Sequence, residues 1–281
     1  MLEGQYQSTD KGVEKCREFL LVDKKLNLPD IEVLKPEKIQ EFAETGLQGY
    51  LDENHSCLIK LNQLLSNEEF LAIGKLLGTP IKEFASDPVV APYIENEVIL
   101  NIKSNNAIKD NPSSQPFTSR YLTLHTECSR RKAEDQPRYL VFMCCNSGQF
   151  SEAKTIMVPT KKIINALTKQ EIDTLLHTHY ATETPSLLRQ ENGHFIFSFR
   201  DFYPHPMNWV YTGNDAKTEK EINEVITSLL LKIYDPDNAT GIQWEEGLLM
   251  ILDNRHFFHG KQKGKQIEST NTRHIKRLRI I

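Results

Sequence analysis

Cysteines are few in this chain of 281 residues. Its cysteine count is odd, at five, and no two of them have the Cys-x-x-Cys spacing of a structural zinc site. Cys144 and Cys145 are adjacent, so on a strand they would point to opposite faces. These features argue against a secreted disulfide scaffold, and we expect reduced thiols in a cytoplasmic protein.

Long apolar runs and a large charge excess are also missing. No segment approaches the roughly 20 apolar residues that span a membrane, and the polar start MLEGQYQSTDKG lacks a signal-peptide core. The formal net charge of −4, with 39% hydrophobic and 26% charged residues, is typical of a globular protein. Such a charge gives no general attraction to nucleic acid or to an anionic membrane. We therefore expect a small-molecule partner, no nucleic acid and no membrane, and leave the oligomeric state open.

Short β-strand patterns are abundant. Eight segments combine apolar and β-branched residues over a strand's length: CLIKL (57–61), EVILNI (97–102), YLTLHTE (121–127), RYLVFMCC (138–145), KTIMVP (154–159), HFIFSF (194–199), GLLMILD (247–253) and RHIKRLRII (273–281). Helix starts are marked by capping-box pairs, at Ser66 and Glu69, Thr168 and Glu171, and Thr218 and Glu221. Another helix is predicted between Pro36 and Gly46.

Strands and helices do not alternate strictly along the chain, which disfavours a parallel sheet. We predict a mainly β fold with flanking helices, built on a jelly-roll core, the double-stranded β-helix. No stretch has the composition of a linker. The prediction is a single domain over residues 1–281, in which residues 1–48 form an N-terminal extension with a helix packed on the core.

One imidazole–carboxylate pair and one late histidine could form a metal site. On a strand, His125 and Glu127 would project from the same face. Near the C-terminus, GLLMILDNRHFFHGKQKG places His259 shortly after an apolar strand. Two histidines and one carboxylate leave three positions of an octahedral ion open, which suits non-haem Fe(II) that activates oxygen. Arg273 and Arg277 would share a face of the last strand, where a buried guanidinium needs a carboxylate partner.

These motifs resemble the Fe(II)- and 2-oxoglutarate-dependent oxygenases of the TauD/TfdA superfamily, and most closely the clavaminate synthase-like branch, which uses His-x-Glu. The similarity runs from about Gly49 to the end of the chain. It is carried by three segments: GYLDENHSCLIKLNQLLSNEEFLAIGKLLGTPI, LHTE…QPRYLVFMCC and DNRHFFHG…RHIKRLRI.

The resemblance implies Fe(II) as the metal, with 2-oxoglutarate and O2 as co-substrates. It assigns catalytic metal ligation to His125, Glu127 and His259. It assigns the far carboxylate of 2-oxoglutarate to Thr155 and Arg273, and a contact with the co-substrate or an acidic group of the substrate to Arg277. Because Glu127 fills the carboxylate position that halogenating members vacate for chloride, hydroxylation or loss of a second hydrogen is expected rather than chlorination.

Two other histidine arrangements compete with this assignment. His256 lies three residues before His259 and is an alternative ligand. The family pattern, however, places the ligand directly before Gly260. His177 and His179 form a His-x-His pair at the C-terminal end of a predicted helix. Imidazoles interact favourably with a helix dipole there, so we interpret this pair as structural.

The resemblance also implies the substrate class, a free amino acid or an amino-acid-derived metabolite hydroxylated at an unactivated carbon. Candidate substrate-binding residues come from two polar regions and the strand before the first of them: Asn101, Lys103, Arg200, Asp201, Tyr203 and Trp209. Residues 104–120 and 200–215 are candidate lids. Alternative functions are oxygenation of a sulfonate or another small organic acid, desaturation or ring closure, and a jelly-roll binding protein without turnover.

Overall fold

The computed structural model describes residues 1–23, 31–83, 88, 90–104, 115–148, 153–264 and 272–281. Over these ranges the α-helices are α1 (Lys11–Leu21), α2 (Ile39–Thr45), α3 (Leu47–Asn54), α4 (Asn67–Leu77), α5 (Thr160–Ala166), α6 (Lys169–Leu176) and α7 (Glu219–Ile233). The strands are β1 (Leu2–Tyr6), β2 (Val33–Leu34), β3 (Ser56–Lys60), β4 (Ile94–Glu95), β5 (Ile99–Lys103), β6 (Leu122–His125), β7 (Tyr139–Asn146), β8 (Thr155–Pro159), β9 (Thr178–His179), β10 (Leu188–Glu191), β11 (His194–Phe197), β12 (Met207–Tyr211), β13 (Thr240–Ile242), β14 (Leu248–Asp253), β15 (Phe257–Lys261) and β16 (His274–Ile280). All eight predicted strands are present.

Two sheets form the centre of the molecule. The larger has the order β2-β3-β14-β7-β16-β5-β4, and the smaller has the order β13-β8-β15-β6. One apolar cluster draws residues from both sheets, among them Met250 of β14 and Met157 of β8, so the two sheets face each other across a shared interior. The predicted β-rich fold with a jelly-roll core is confirmed.

Alternation of side chains along the central strands gives the larger sheet two buried faces. On β14, Met250 faces the interior, whereas Leu249 packs outwards with Phe70 of α4. The adjacent thiols of β7 divide in the same way: Cys144 lies in the interior cluster and Cys145 packs against the outer one. Because both faces are covered, these strands read as continuous apolar runs in the sequence.

The three helices with predicted capping boxes begin where the sequence predicted. Each of α4, α6 and α7 has a capping box in which the N-cap hydroxyl and the third-residue carboxylate exchange hydrogen bonds with the backbone. The apolar stripe of α7, including Ile222 and Leu229, is buried in the cluster outside the smaller sheet. Among the described residues, none of the helices combines the length and the apolar character that crossing a bilayer requires.

The first 23 residues are built into the outer layer of the smaller sheet. β1 pairs antiparallel with β12, and Val13, Leu20 and Leu21 of α1 are fully buried among the residues of that layer. The N-terminal segment therefore contributes both a strand and a helix, where the sequence predicted a helix alone.

A buried ion pair ties α1 to the chain after β11. Arg17 Nε donates to Asp201 Oδ2 at 2.8 Å, and both side chains are 3% exposed. Tyr234 donates its hydroxyl hydrogen to the same carboxylate oxygen at 2.7 Å, and the hydroxyl accepts the backbone N–H of Leu124 at 3.0 Å. Asp201 therefore connects α1, α7 and the strand that ends at His125.

We predict that Asp201→Asn will lower the free energy of unfolding by about 3–5 kcal/mol, because it leaves the Arg17 guanidinium buried without an anion. Urea denaturation measures this loss. Tyr203→Phe is the matched control, since Tyr203 borders the same pair, and it should stay within about 0.5 kcal/mol of the unmodified protein. A loss below about 1 kcal/mol for Asp201→Asn would contradict the role given to the pair.

Candidate functional site

Two distant histidines become direct neighbours through strand pairing. β15 runs antiparallel to β6, with His259 opposite His125. Their ring centroids are 4.2 Å apart, at an interplanar angle of 47°. Glu127 lies in the turn that follows β6, since the strand ends two residues earlier than predicted. Its Oε2 is 3.6 Å from His125 Nε2 and 3.8 Å from His259 Nε2, so three ligand atoms surround one point.

The position of Glu127 is fixed by the turn between β14 and β15. Its backbone N–H donates to Asn254 Oδ1 at 2.7 Å. The Asn254 amide in turn donates to the carbonyl of Glu127 at 3.3 Å and to that of Pro137 at 3.0 Å. Because Asn254 is buried, these bonds hold the Glu127 backbone in place without competition from water.

Both imidazoles are buried and placed for metal ligation. His125 Nδ1 lies 2.8 Å from the carbonyl of Thr123, so it carries the proton and leaves Nε2 with its lone pair towards the carboxylate. Burial, together with the neighbouring His125, lowers the pKa of His259 well below its usual range. A metal ligand must be deprotonated in this way, so the pair suits a divalent cation.

Arginines keep the third ligand ionised. Burial alone would raise the pKa of Glu127, but Arg277, whose Nη1 is 3.1 Å from Oε1, holds it well below its usual range, with help from Arg279. Arg277 and Arg279 also pair with Glu83, at 3.0 and 2.9 Å. Two imidazole nitrogens and one anionic oxygen fit the two-histidine, one-carboxylate set of non-haem Fe(II).

This cluster lies at one side of a cavity of about 700 Å³. Thr155, Lys261 and Arg273 line another part of it. Lys261 pairs in register with Thr155 and, two residues after His259, lies on the same face of β15. Thr155 Oγ1 accepts the indole N–H of Trp244 at 2.8 Å.

Lys261 and Arg273 are buried cations that no carboxylate of the described residues neutralises. Lys261 Nζ donates to the carbonyl of Thr118 at 2.6 Å. Burial, and then the proximity of Arg273, lowers the pKa of Lys261 well below its usual range. Burial also lowers the pKa of Arg273 to about 10. Unpaired buried charge is unfavourable, so this part of the cavity is arranged to receive an anion. Sequence reasoning missed Lys261, although its spacing of two residues from His259 was a usable signal.

Three of the predicted substrate-binding residues border the cavity. Arg200 forms an isolated backbone bridge with His125, and its Nη2 donates to Gln115 Oε1 at 2.8 Å. Tyr203 lies at the same border, with the Arg17 guanidinium 4.1 Å from its ring centroid. Asp201 does not fit the prediction well, because its carboxylate is fully engaged by Arg17, Tyr234 and the backbone of Tyr203.

The other three predicted substrate-binding residues, Asn101, Lys103 and Trp209, lie away from this cavity. Side-chain alternation on β5 turns Leu100 and Ile102 to the cavity, so Asn101 and Lys103 face away from it. Asn101 Oδ1 bonds the His274 imidazole at 2.7 Å, and Lys103 is exposed. Trp209 is 1% exposed in the outer apolar layer, on a strand where the sequence suggested a loop.

The competing histidines lie elsewhere. His256 lies outside the cavity, so the choice of His259 agrees with the geometry. His177 caps α6 with Nδ1 2.8 Å from the carbonyl of Asp173, and His179 Nδ1 is 2.9 Å from that of Thr184. These bonds support the structural interpretation of the pair.

The structure describes only part of the first candidate lid, residues 104–120, and all of the second, residues 200–215. Residues 105–114 of the first region lie outside the described residues, while Gln115–Phe117 form a 3₁₀ turn at the cavity. In the second region, residues 207–211 form β12, and the residues before that strand border the cavity.

Solved structures with this fold include iron oxygenases. The chain superposes on PvcB from Pseudomonas aeruginosa with a TM-score of 0.67 and 17% identity, covering 92% of this chain and 89% of that one. PvcB is described as an Fe, alpha-ketoglutarate dependent oxygenase from an isonitrile synthetic pathway. Asparagine oxygenase in complex with Fe(II), a hydroxyasparagine and succinate gives a TM-score of 0.62 at 15% identity, over 96% of this chain and 90% of that one.

Sequence comparison points the same way. A 3-((Z)-2-isocyanoethenyl)-1H-indole synthase from Fischerella ambigua is 25% identical over 192 residues, which are 62% of this chain and 68% of that protein. The family model "Taurine catabolism dioxygenase TauD, TfdA family" matches residues 22–279. This match confirms the predicted family and enzyme class, and with them Fe(II) as the metal and 2-oxoglutarate as a co-substrate. The chain belongs to the TauD/TfdA family of dioxygenases.

Proposed function

We propose that the chain hydroxylates an unactivated C–H bond of an amino acid or an amino-acid-derived carboxylic acid, with 2-oxoglutarate as co-substrate. One observation carries the proposal: two buried imidazoles and an ionised carboxylate share a cavity with two buried cations that lack an acid partner among the described residues. Asparagine oxygenase, and a non-haem iron oxygenase described in complex with (3S)-hydroxy-L-Arg, have the same fold. Their substrates suggest the class proposed for this chain.

His125, Glu127 and His259 would hold Fe(II), in a part of the cavity where their three ligand atoms lie within 4.8 Å of one another. The metal, when bound, supplies oxygen activation coupled to decarboxylation of 2-oxoglutarate to succinate. The chain's own residues prepare the ligands for this role. Arg277 keeps Glu127 anionic, and Asn254 holds its backbone in place.

Thr155, Lys261 and Arg273 would bind the far carboxylate of 2-oxoglutarate. The two cations supply charge, and the Thr155 hydroxyl, whose oxygen already accepts from Trp244, can donate its own hydrogen to the carboxylate. Charge-assisted hydrogen bonds of this kind are worth about 1.5–3 kcal/mol each. Arg277, by contrast, is occupied by Glu127 and Glu83, so we propose that it orients the metal ligand rather than the co-substrate.

Arg200 is the residue we propose for the substrate's acidic group. It is half-buried, its side chain bonds the neutral amide of Gln115, and its charge contributes to lowering the pKa of His259. Arg200 and Arg130 both lie against Phe202, 5.8 and 6.0 Å from its ring centroid. A carboxylate placed there would be close to the metal ligands and to an aromatic surface.

The proposal is tested by measuring succinate formed from 2-oxoglutarate, Fe(II) and O2 while a panel of amino acids and their N-acyl derivatives is offered. We expect succinate formation to rise with the correct substrate, and the product mass to increase by one oxygen atom. No succinate under any condition, with or without a substrate, would contradict the assignment as an active oxygenase.

Desaturation is the second candidate, favoured by the name of the Fischerella relative, since an ethenyl group contains a carbon–carbon double bond. The same assay separates the two outcomes. Hydroxylation adds one oxygen atom to the substrate, whereas desaturation removes two hydrogen atoms and leaves the oxygen count unchanged.

We predict that Lys261→Met will raise the KM for 2-oxoglutarate about 10- to 100-fold, the range expected from losing one charge-assisted hydrogen bond. The variant should use 2-oxopentanoate, which lacks the far carboxylate, nearly as well as the unmodified protein does. Lys103 lies on the outward side of β5, so Lys103→Met should change neither the KM for 2-oxoglutarate nor the activity with 2-oxopentanoate. Equal losses with both oxo acids would mean that Lys261 is structural.

We predict that Arg200→Gln will abolish stimulation by substrate while leaving substrate-independent decarboxylation of 2-oxoglutarate within about threefold of the unmodified rate. The reason is that the substrate carboxylate loses its cation whereas the co-substrate contacts stay intact. Parallel loss of both activities would show that Arg200 supports the metal centre instead.

A further inference from the structure

A second cluster of metal-ligating side chains lies outside the cavity. His55, Asp253 and His256 each offer a ligand atom, and these atoms lie within 4.8 Å of one another. We propose that this cluster is a second transition-metal site, separate from the catalytic centre. It takes a divalent cation that accepts imidazole and carboxylate together, of the Ni²⁺ or Zn²⁺ type. The proposal does not depend on the proposed function.

Three backbone segments hold the cluster together. His55 follows α3 with a φ of 59°, which turns the chain into β3, and Asp253 ends β14. The backbone N–H of Asp253 donates to the carbonyl of His55 at 2.9 Å, and that of His256 donates to the carbonyl of Asp253 at 3.0 Å. The carbonyl of His256 accepts from the Thr160 N–H at 2.8 Å. The ligand positions are therefore fixed by the backbone.

One pair of ligand atoms in this cluster is closer than the carboxylate–histidine pairs of the catalytic centre. His256 Nδ1 is 3.4 Å from Asp253 Oδ2, compared with 3.6 and 3.8 Å between Glu127 and its two histidines. His256 Nδ1 is also a buried atom without a hydrogen-bond partner, a state that is unfavourable until a cation or proton satisfies it. The His55 and His256 rings are 3.6 Å apart and nearly parallel, so one ring must turn out of the stack before both rings can direct a nitrogen at one ion.

The charges around the cluster permit a cation. Asp253 is 2% exposed, and its Oδ1 accepts the Arg255 N–H at 2.9 Å, which leaves Oδ2 for a metal. Arg138 Nε is 3.6 Å from Oδ2, but the Arg138 side chain is 44% exposed and also lies 3.8 Å from Asp52. The guanidinium can keep that second partner when a metal takes Oδ2. Burial and the neighbouring His256 lower the pKa of His55, so its imidazole is neutral near pH 7.

We call the cluster of His55, Asp253 and His256 the outer site. A metal bound there would act on the catalytic centre through one short turn. Residues 253–256 contain two of the outer ligands, and Asn254 between them is the residue that holds the Glu127 backbone in place. A metal here would join the α3–β3 junction to this turn. We expect it to stabilise the fold without being required for iron binding at His125, Glu127 and His259.

Calorimetric titration of the tag-free, chelator-stripped full chain with Ni²⁺ tests the proposal. We expect two equivalents to bind to the unmodified protein and one equivalent to each of His256→Gln, His55→Gln and His259→Ala. Loss of one outer histidine should weaken the second site by at least about tenfold. His194→Gln, which removes an exposed histidine of β11, should still bind two equivalents.

The outer-site variants are expected to remain folded, since glutamine keeps a polar side chain at half-exposed positions, and circular dichroism checks this. Binding of a single equivalent that is lost in His259→Ala and kept in both outer variants would overturn the proposal, as would retention of two equivalents by both outer variants. A single equivalent that is kept in His259→Ala and lost in both outer variants would support this site and contradict the catalytic one, so failure of the proposed function is distinguishable from failure of this proposal.

Discussion

The antiparallel pairing of β15 with β6 is the constraint on which the candidate site depends. It places His259 directly opposite His125, although the two residues are far apart in sequence. Gly260 makes this approach possible, because a Cβ at that position would be 2.6 Å from the carbonyl oxygen of Leu122. His259 and Lys261 are two residues apart on β15, so the strand presents one side chain to the metal position and the next inward one to the anion position.

The second constraint is the division of charge along β16 and the residue before it. Arg277 and Arg279 are paired with Glu83 and, with Arg277 closest, stabilise the anionic form of Glu127. Arg273 has no acidic partner among the described residues, and neither does Lys261 on the facing strand. Charges near the metal position are therefore balanced within the protein, whereas those at the co-substrate position are left for a ligand to balance.

Much of the fold was predictable because its signals are local. Capping boxes and continuous apolar runs depend on a few adjacent residues, and the structure has the helices and central strands where these signals lie. The proximity of His125, Glu127 and His259 was predictable because a spacing of two residues and a known motif indicated it. The substrate-facing residues were harder, since choosing between Leu100 and Asn101 requires knowing which face of β5 meets the cavity. Glu83 lies in a connection without any periodic pattern, so no sequence signal identified it.

Anomalous diffraction at the iron edge, from crystals grown anaerobically with Fe(II) and 2-oxoglutarate, tests the central claim most directly. The account predicts an iron peak within bonding distance of His125 Nε2, a Glu127 carboxylate oxygen and His259 Nε2, with the far carboxylate of the co-substrate between Lys261 and Arg273. An absence of iron at those three atoms, or iron bound with the co-substrate pointing away from the two cations, would contradict it.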